Sequence, residues 1–143
     1  MAAPSTWFSK SARFTVAASK AASWRVASDW TMAWAGIADV KVVSSTERVI
    51  NGNIFESCLE LDAVAMTHAW SYDRVPAAWG IGETPSLRGR VAVLDGATAD
   101  ASVVEYTMSA AAPAEADVAG MLEHEVSSVG PKLVAYIEAH KGN

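Results

Sequence analysis

Between Pro113 and His140, the residues Val118, Leu122, Val126, Val129, Leu133, Tyr136 and Ile137 fall three or four positions apart, the spacing that lays one apolar stripe along an α-helix. At about 28 residues, such a helix is roughly 40 Å long, enough to lie across a whole sheet. Pro113 suits its first turn, and Gly130-Pro131 predicts a bend, because the proline removes one hydrogen bond and crowds the preceding turn. A stripe of this length has to be covered, and the chain upstream of it reads mostly as strands.

Thr6 to Ala17 alternates, with Phe8, Ala12, Phe14 and Val16 on one face and Ser9, Ser11, Arg13 and Thr15 on the other, as in a half-buried strand. Ser19 then caps a helix to about Ser28, with Ala22, Val26 and Trp30 on one stripe, and Gly36 ends a second short helix. Val40 to Thr46 is rich in β-branched residues. Asn51-Gly52, between 47-ERVI-50 and 54-IFESCLELD-62, signals a two-residue hairpin turn, since both residues tolerate positive φ. Met66 to Arg74, Leu87 to Leu94 and Ser102 to Ser109 supply further strands, the last two joined through 95-DGATAD-100. The loop 75-VPAAWGIGETPS-86 carries Trp79 between two prolines, either anchored on an apolar surface or serving as a lid. We read one α+β domain over residues 1–143.

The chain has 143 residues, 51% hydrophobic and 19% charged, so it can bury a core without disulfides or metal. Its net charge of −5 and scattered basic residues present no basic face, which argues against nucleic acid as a partner. The single cysteine, Cys58, excludes an internal disulfide and fits a reducing compartment. The opening MAAPSTWFSKSARFTV shows no basic n-region followed by an apolar h-region, and no run approaches the ~18 apolar residues of a membrane span. A soluble cytoplasmic protein is therefore expected; the oligomeric state is left open. His68, His124 and His140 lack metal-ligand spacing, and 123-EHE-125 lacks the second histidine of a zinc helix. With no G-x-S-x-G elbow, dinucleotide fingerprint or phosphate loop, neither a metal nor a cofactor is expected.

The element order and several segments resemble the START-like superfamily, also called SRPBCC, which includes polyketide cyclase/dehydrase and lipid-transport proteins and the birch-pollen-allergen type. The segment 14-FTVAASKAASWRVASDWTMAWAGI-37 looks like the family's strand, helix, tryptophan and second helix. In the same way, 56-ESCLELD-62 looks like its E-x-L-x-x-L-D strand and 70-WSYDR-74 like the aromatic strand that follows. The resemblance implies a helix-grip fold: a curved antiparallel sheet of about seven strands around the C-terminal helix, with an apolar cavity between them. The tight Asn51-Gly52 turn stands where plant hormone receptors of this superfamily have a longer gating loop, so hormone-type gating is not expected.

Within that fold, alternation nominates the cavity walls. His68, Trp70, Tyr72 and Arg74 share one strand face, as do Leu87, Gly89, Val91 and Val93, and then Val104, Tyr106 and Met108. Gly89 would leave room for a ligand or for the helix. On the long helix, Met121, Glu125 and Val129 form one row, with Leu122, Val126 and Leu133 beside it. Trp24 reads as core; Trp30 and Trp34 stand one helical turn apart, Trp34 divided between core and cavity wall. The strand at 54–62 presents a conflict, because burial favours Phe55, Leu59 and Leu61 inside while the family register turns Ile54, Glu56 and Cys58 inward; a bulge could satisfy both. An inward Glu56 would be a candidate acid or base, whereas an outward one is a solvated strand charge.

Two functions follow from the resemblance. The first is a carrier for a hydrophobic polyketide, lipid or terpenoid-like molecule. The second is a cofactor-independent cyclase/dehydrase in which His68, Tyr72, Tyr106 or Glu56 moves a proton. The bland alternative for these residues is a packed core with no cavity at all.

Overall fold

The computed structural model describes residues 5–142. Seven strands run in chain order as β1 (Thr6–Val16), β2 (Val40–Ser44), β3 (Glu47–Ile50), β4 (Ile54–Asp62), β5 (Thr67–Arg74), β6 (Leu87–Asp95) and β7 (Ser102–Ala112). They form one antiparallel sheet in the order β1-β7-β6-β5-β4-β3-β2, so the chain's first strand closes onto its last. Two helices, α1 (Lys20–Ala27) and α2 (Ala119–His140), pack against it.

Strict alternation fixes the faces. In β7 every second residue from Ser102 to Ala112 is buried, and its outward residues pair with β1 through Ser9–Ser109 and Ser11–Thr107 hydroxyl bonds of 2.7 Å and an Arg13–Glu105 pair of 2.8 Å. The inner face therefore belongs to apolar side chains. Where α1 crosses the sheet, buried Ser23 and Ser102 satisfy each other at 2.7 Å.

Ser19 caps α1 by accepting the Ala22 N–H at 3.2 Å, as its sequence predicts. The helix stops at Ala27, and Asp29 folds back to accept the Thr31 N–H at 3.0 Å. Trp30 therefore lies outside it. The expected second helix is one 3-10 turn, Ala33–Ala35, closed by Gly36 at φ 68°. Trp30 and Trp34 thus share no helical face.

The hairpin turn has Asn51 and Gly52 both at positive φ, 53° and 71°. Ile50 pairs with Ile54, so three residues rather than two lie between the paired positions. The C-terminal helix starts later than its pattern suggests: Pro113 precedes a 3-10 turn at Glu115–Asp117, and α2 begins only at Ala119. Its 22 residues span roughly 33 Å. Pro131 sits inside it, and Gly130 admits the Phe14 ring of β1, which a Cβ there would meet at 2.3 Å. Among the described residues, no helix is long and apolar enough to cross a membrane.

Candidate functional site

α2 lies close on β1 and β7 and on the Ala33–Ala35 turn, but makes no comparably close approach to β3–β6. The gap is not filled. Two lobes of about 220 Å³ each occupy it, and both are walled by Tyr72, Trp79 and Glu125. Beyond these three, one lobe is bounded by Ile81, Leu87, Met108 and Met121. The other reaches Trp34, Ile50, Ile54, Glu56, Trp70, Tyr106 and Val129, with Lys132 at an exposed rim. A void of ~150 Å³ is enough to take up a benzene ring, so either lobe has room for a small organic ring.

Glu56, in the wall of the second lobe, is held in a buried ion pair whose other member, Arg48, the sequence reading omitted. Arg48 and Glu56 face each other across the β3–β4 ladder with side chains only 3% and 2% exposed. Arg48 donates from Nε and Nη2 to Glu56 Oε1 at 2.8 and 2.6 Å, and from Nη1 to the Trp30 carbonyl at 3.1 Å. Its guanidinium lies 3.9 Å from the Trp30 ring centroid and 5.7 Å from that of Trp70. Burial raises the Glu56 carboxyl above its usual range, and the neighbouring Arg48 works against that shift without cancelling it. The three-residue connection centred on Gly52 sets residue 48 opposite residue 56, whereas the expected two-residue turn would have set it opposite Phe55.

The conflict on β4 is resolved by this pair. Glu56 points inward, while Phe55, Leu59 and Leu61 stay 38%, 50% and 55% exposed. Register shifts do occur at Phe55/Glu56 and Cys58/Glu60, but they do not carry those apolar side chains inside. Burial preference loses here because the inward charge has a fully committed partner.

Among the described residues, the sealed side-chain nitrogens or oxygens without a partner are His68 Nε2 and Trp70 Nε1. Trp70 Nε1 lies close enough to be felt by the Tyr72 phenol, but is not aligned as a donor to it. The hydroxyls of Tyr72 and Tyr106 make no hydrogen bond to described residues and are not sealed, which leaves them open to the void their rings line. Burial raises both phenols far above their ordinary range, with Glu56 adding to the effect on Tyr72. Burial likewise raises Glu125. The lobe thus offers neutral phenols, the Glu56 carboxylate already paired with Arg48, and the Glu125 carboxyl.

Other nominated residues lie elsewhere. His68 is 2% exposed, its Nδ1 2.9 Å from the Ala27 carbonyl, and it sits behind Trp70 in an aromatic row with centroid spacings of 5.6 Å to Trp30 and 5.5 Å to Trp70. It does not reach the cavity; burial lowers its pKa and keeps it neutral. Arg74 is at the solvent-exposed end of β5, 4.0 Å from Glu83. Leu122 and Val91 are each 1% exposed in the packed core, Leu122 on the inner face of α2 and Val91 on β6, where α1 and not α2 packs on the sheet. Cys58 lines neither lobe; its Sγ is 3.6 Å from the Glu60 carbonyl, and burial raises its pKa. Gly89 makes room for neither ligand nor helix: a Cβ there would lie 2.4 Å from the Trp70 ring, so the glycine seats that indole. Trp79 lies in a 3-10 turn, 43% exposed, its ring 6.4 Å from that of Tyr72. No group of three or more His, Cys, Asp or Glu among the described residues is placed to hold a metal ion.

No protein-family model and no curated protein matches the sequence. Solved structures do match. A protein from Nitrosospira multiformis superposes with a TM-score of 0.78 at 17% identity, covering 95% of this chain and 100% of that one. Norcoclaurine synthase from Thalictrum flavum, in complex with dopamine and hydroxybenzaldehyde, gives 0.74 at 10% identity over 98% of this chain and 91% of that one. Ara h 8.0201 gives 0.71 at 9% identity over 94% and 100%. The chain therefore has the helix-grip fold of the START-like, birch-pollen-allergen type. At these identities the likeness establishes the fold alone.

Proposed function

We propose that the protein binds a hydrophobic small molecule, of polyketide, lipid or terpenoid-like character, in the cavity between its sheet and α2. The observation that carries this reading is the pair of lobes left where α2 stands off β3–β6, walled mainly by aromatic and aliphatic side chains. We place the protein in a reducing, cytoplasmic setting as one domain, in keeping with its lone cysteine. The test is organic extraction of natively purified protein followed by mass spectrometry, alongside titration with a hydrophobic dye. The reading expects a retained compound or saturable dye binding, and it fails if neither is found.

A second reading, a cofactor-independent cyclase or related enzyme, is favoured by one feature: Glu56, Tyr72 and Tyr106 line a single lobe. A neutral phenol can donate a proton and a carboxylate can accept one, so this group has the parts for acid–base assistance. One structural neighbour is a synthase solved with an amine and an aldehyde in place. Once a substrate is found, replacing Tyr72 and Tyr106 with Phe and Glu56 with Gln should slow its turnover at least about 100-fold. Unchanged turnover in all three variants would eliminate this assignment.

A further inference from the structure

An arginine buried beside a cavity is the natural partner for an acidic ligand, but Arg48 is turned away from that role. Three of its five N–H donors are committed to Glu56 and the Trp30 carbonyl, Trp30 covers its face, and it lines neither lobe. Both Arg48 bonds to Glu56 fall on Oε1. Oε2 makes no hydrogen bond to described residues and is not among the sealed atoms, so it opens into the lobe that Glu56 lines.

We propose that the ligand is a neutral ring compound bearing a hydroxyl donor, received by Glu56 Oε2, and not a fatty acid or other carboxylate; this rests on the cavity's being a ligand site. Glu56 and Glu125 both border the lobe and repel an anionic headgroup. The cation in the lobe's lining, Lys132, lies at the exposed rim and is attracted to Glu125. A cationic amine is disfavoured in turn by the Arg48 guanidinium held against Oε1. What remains is a neutral O–H donor. It would make a charge-assisted hydrogen bond to Oε2, while the Tyr72 and Tyr106 hydroxyls serve the ligand's other oxygens. The Trp34 and Trp70 rings favour a flat ring over an alkyl chain. Arg48 acts as a positioning residue, fixing which carboxylate oxygen is presented.

The test is calorimetric titration with 2-naphthol, 2-methoxynaphthalene and 2-naphthoate. Wild type should bind the naphthol about tenfold or more tightly than its methyl ether, and the naphthoate weakest of the three. In the Arg48→Met/Glu56→Leu double variant, the naphthol advantage should vanish while the ether's affinity stays. Should that variant not fold, Glu56→Gln should narrow the same advantage, since a neutral amide oxygen is a weaker acceptor. The proposal is overturned if ether and naphthol bind equally to wild type, if the naphthoate binds tightest, if the advantage persists in the double variant, or if it is undiminished in Glu56→Gln. Binding of none of the three would instead remove the ligand-site reading itself, and this proposal with it.

Discussion

Cutting the Arg48–Glu56 pair from one side should cost far more than removing it whole. Both side chains are almost completely buried, so Arg48→Met strands a carboxylate and Glu56→Leu strands a guanidinium. Losing one partner of a buried pair typically costs about 3–5 kcal/mol, and Arg48→Met also forfeits the stacking on Trp30, worth up to about 2 kcal/mol when desolvated. Against a total stability of about 5–15 kcal/mol, that is a large fraction. The double variant replaces the pair by apolar groups and should lie within about 2 kcal/mol of wild type, giving a coupling energy of about 3 kcal/mol or more. Urea unfolding followed by tryptophan fluorescence measures all four proteins. A pH arm adds a sign. Without Arg48, the Glu56 carboxyl rises further above its ordinary 4.5, so the folded state holds the proton more tightly than the unfolded one. Stability is then fully present below 4.5 and lost as pH rises through the folded value, so Arg48→Met should be weakest at neutral pH and recover on acidification. Additive single-variant costs, or no recovery, would refute the reasoning.

Three further outcomes are expected. Gly89→Ala pushes a methyl into the buried Trp70 indole and should destabilise by about 1–3 kcal/mol in the same unfolding assay. His68 is held neutral below its ordinary 6.5, so the stability it supports is complete above 6.5 and falls as pH drops toward the folded value; His68→Gln should remove that slope when urea midpoints are compared between about pH 7.5 and 5.5. Met121 borders one lobe and is only partly buried, so Met121→Trp should block that lobe and weaken dye binding at least about tenfold while changing stability by less than about 1.5 kcal/mol.

The alternation of β7 and the capping serine of α1 were legible because each is a local rule that tertiary packing reinforced. The same alternation placed Tyr72, Tyr106 and Met108 on the inner face. It did not distinguish a residue facing the void from one packed beneath a helix, which is why Val91, on the strand that α1 covers, proved to be core. That distinction depends on where the helix touches the sheet, a property no single strand encodes. Trp30 was misplaced because its four-residue step from Val26 continues a helix that Asp29 has already ended. Arg48 was missed because an arginine on a short strand reads as solvated, and its burial becomes visible only when the hairpin register pairs it with Glu56.

The most direct measurement of the central claim is a crystal structure of the protein soaked with 2-naphthol. The account predicts ring-shaped density between Trp34, Tyr72 and Val129, with its oxygen within hydrogen-bonding distance of Glu56 Oε2. Lobes closed by repacked Trp34, Trp70 and Tyr106 side chains, with no density between the sheet and α2, would contradict it.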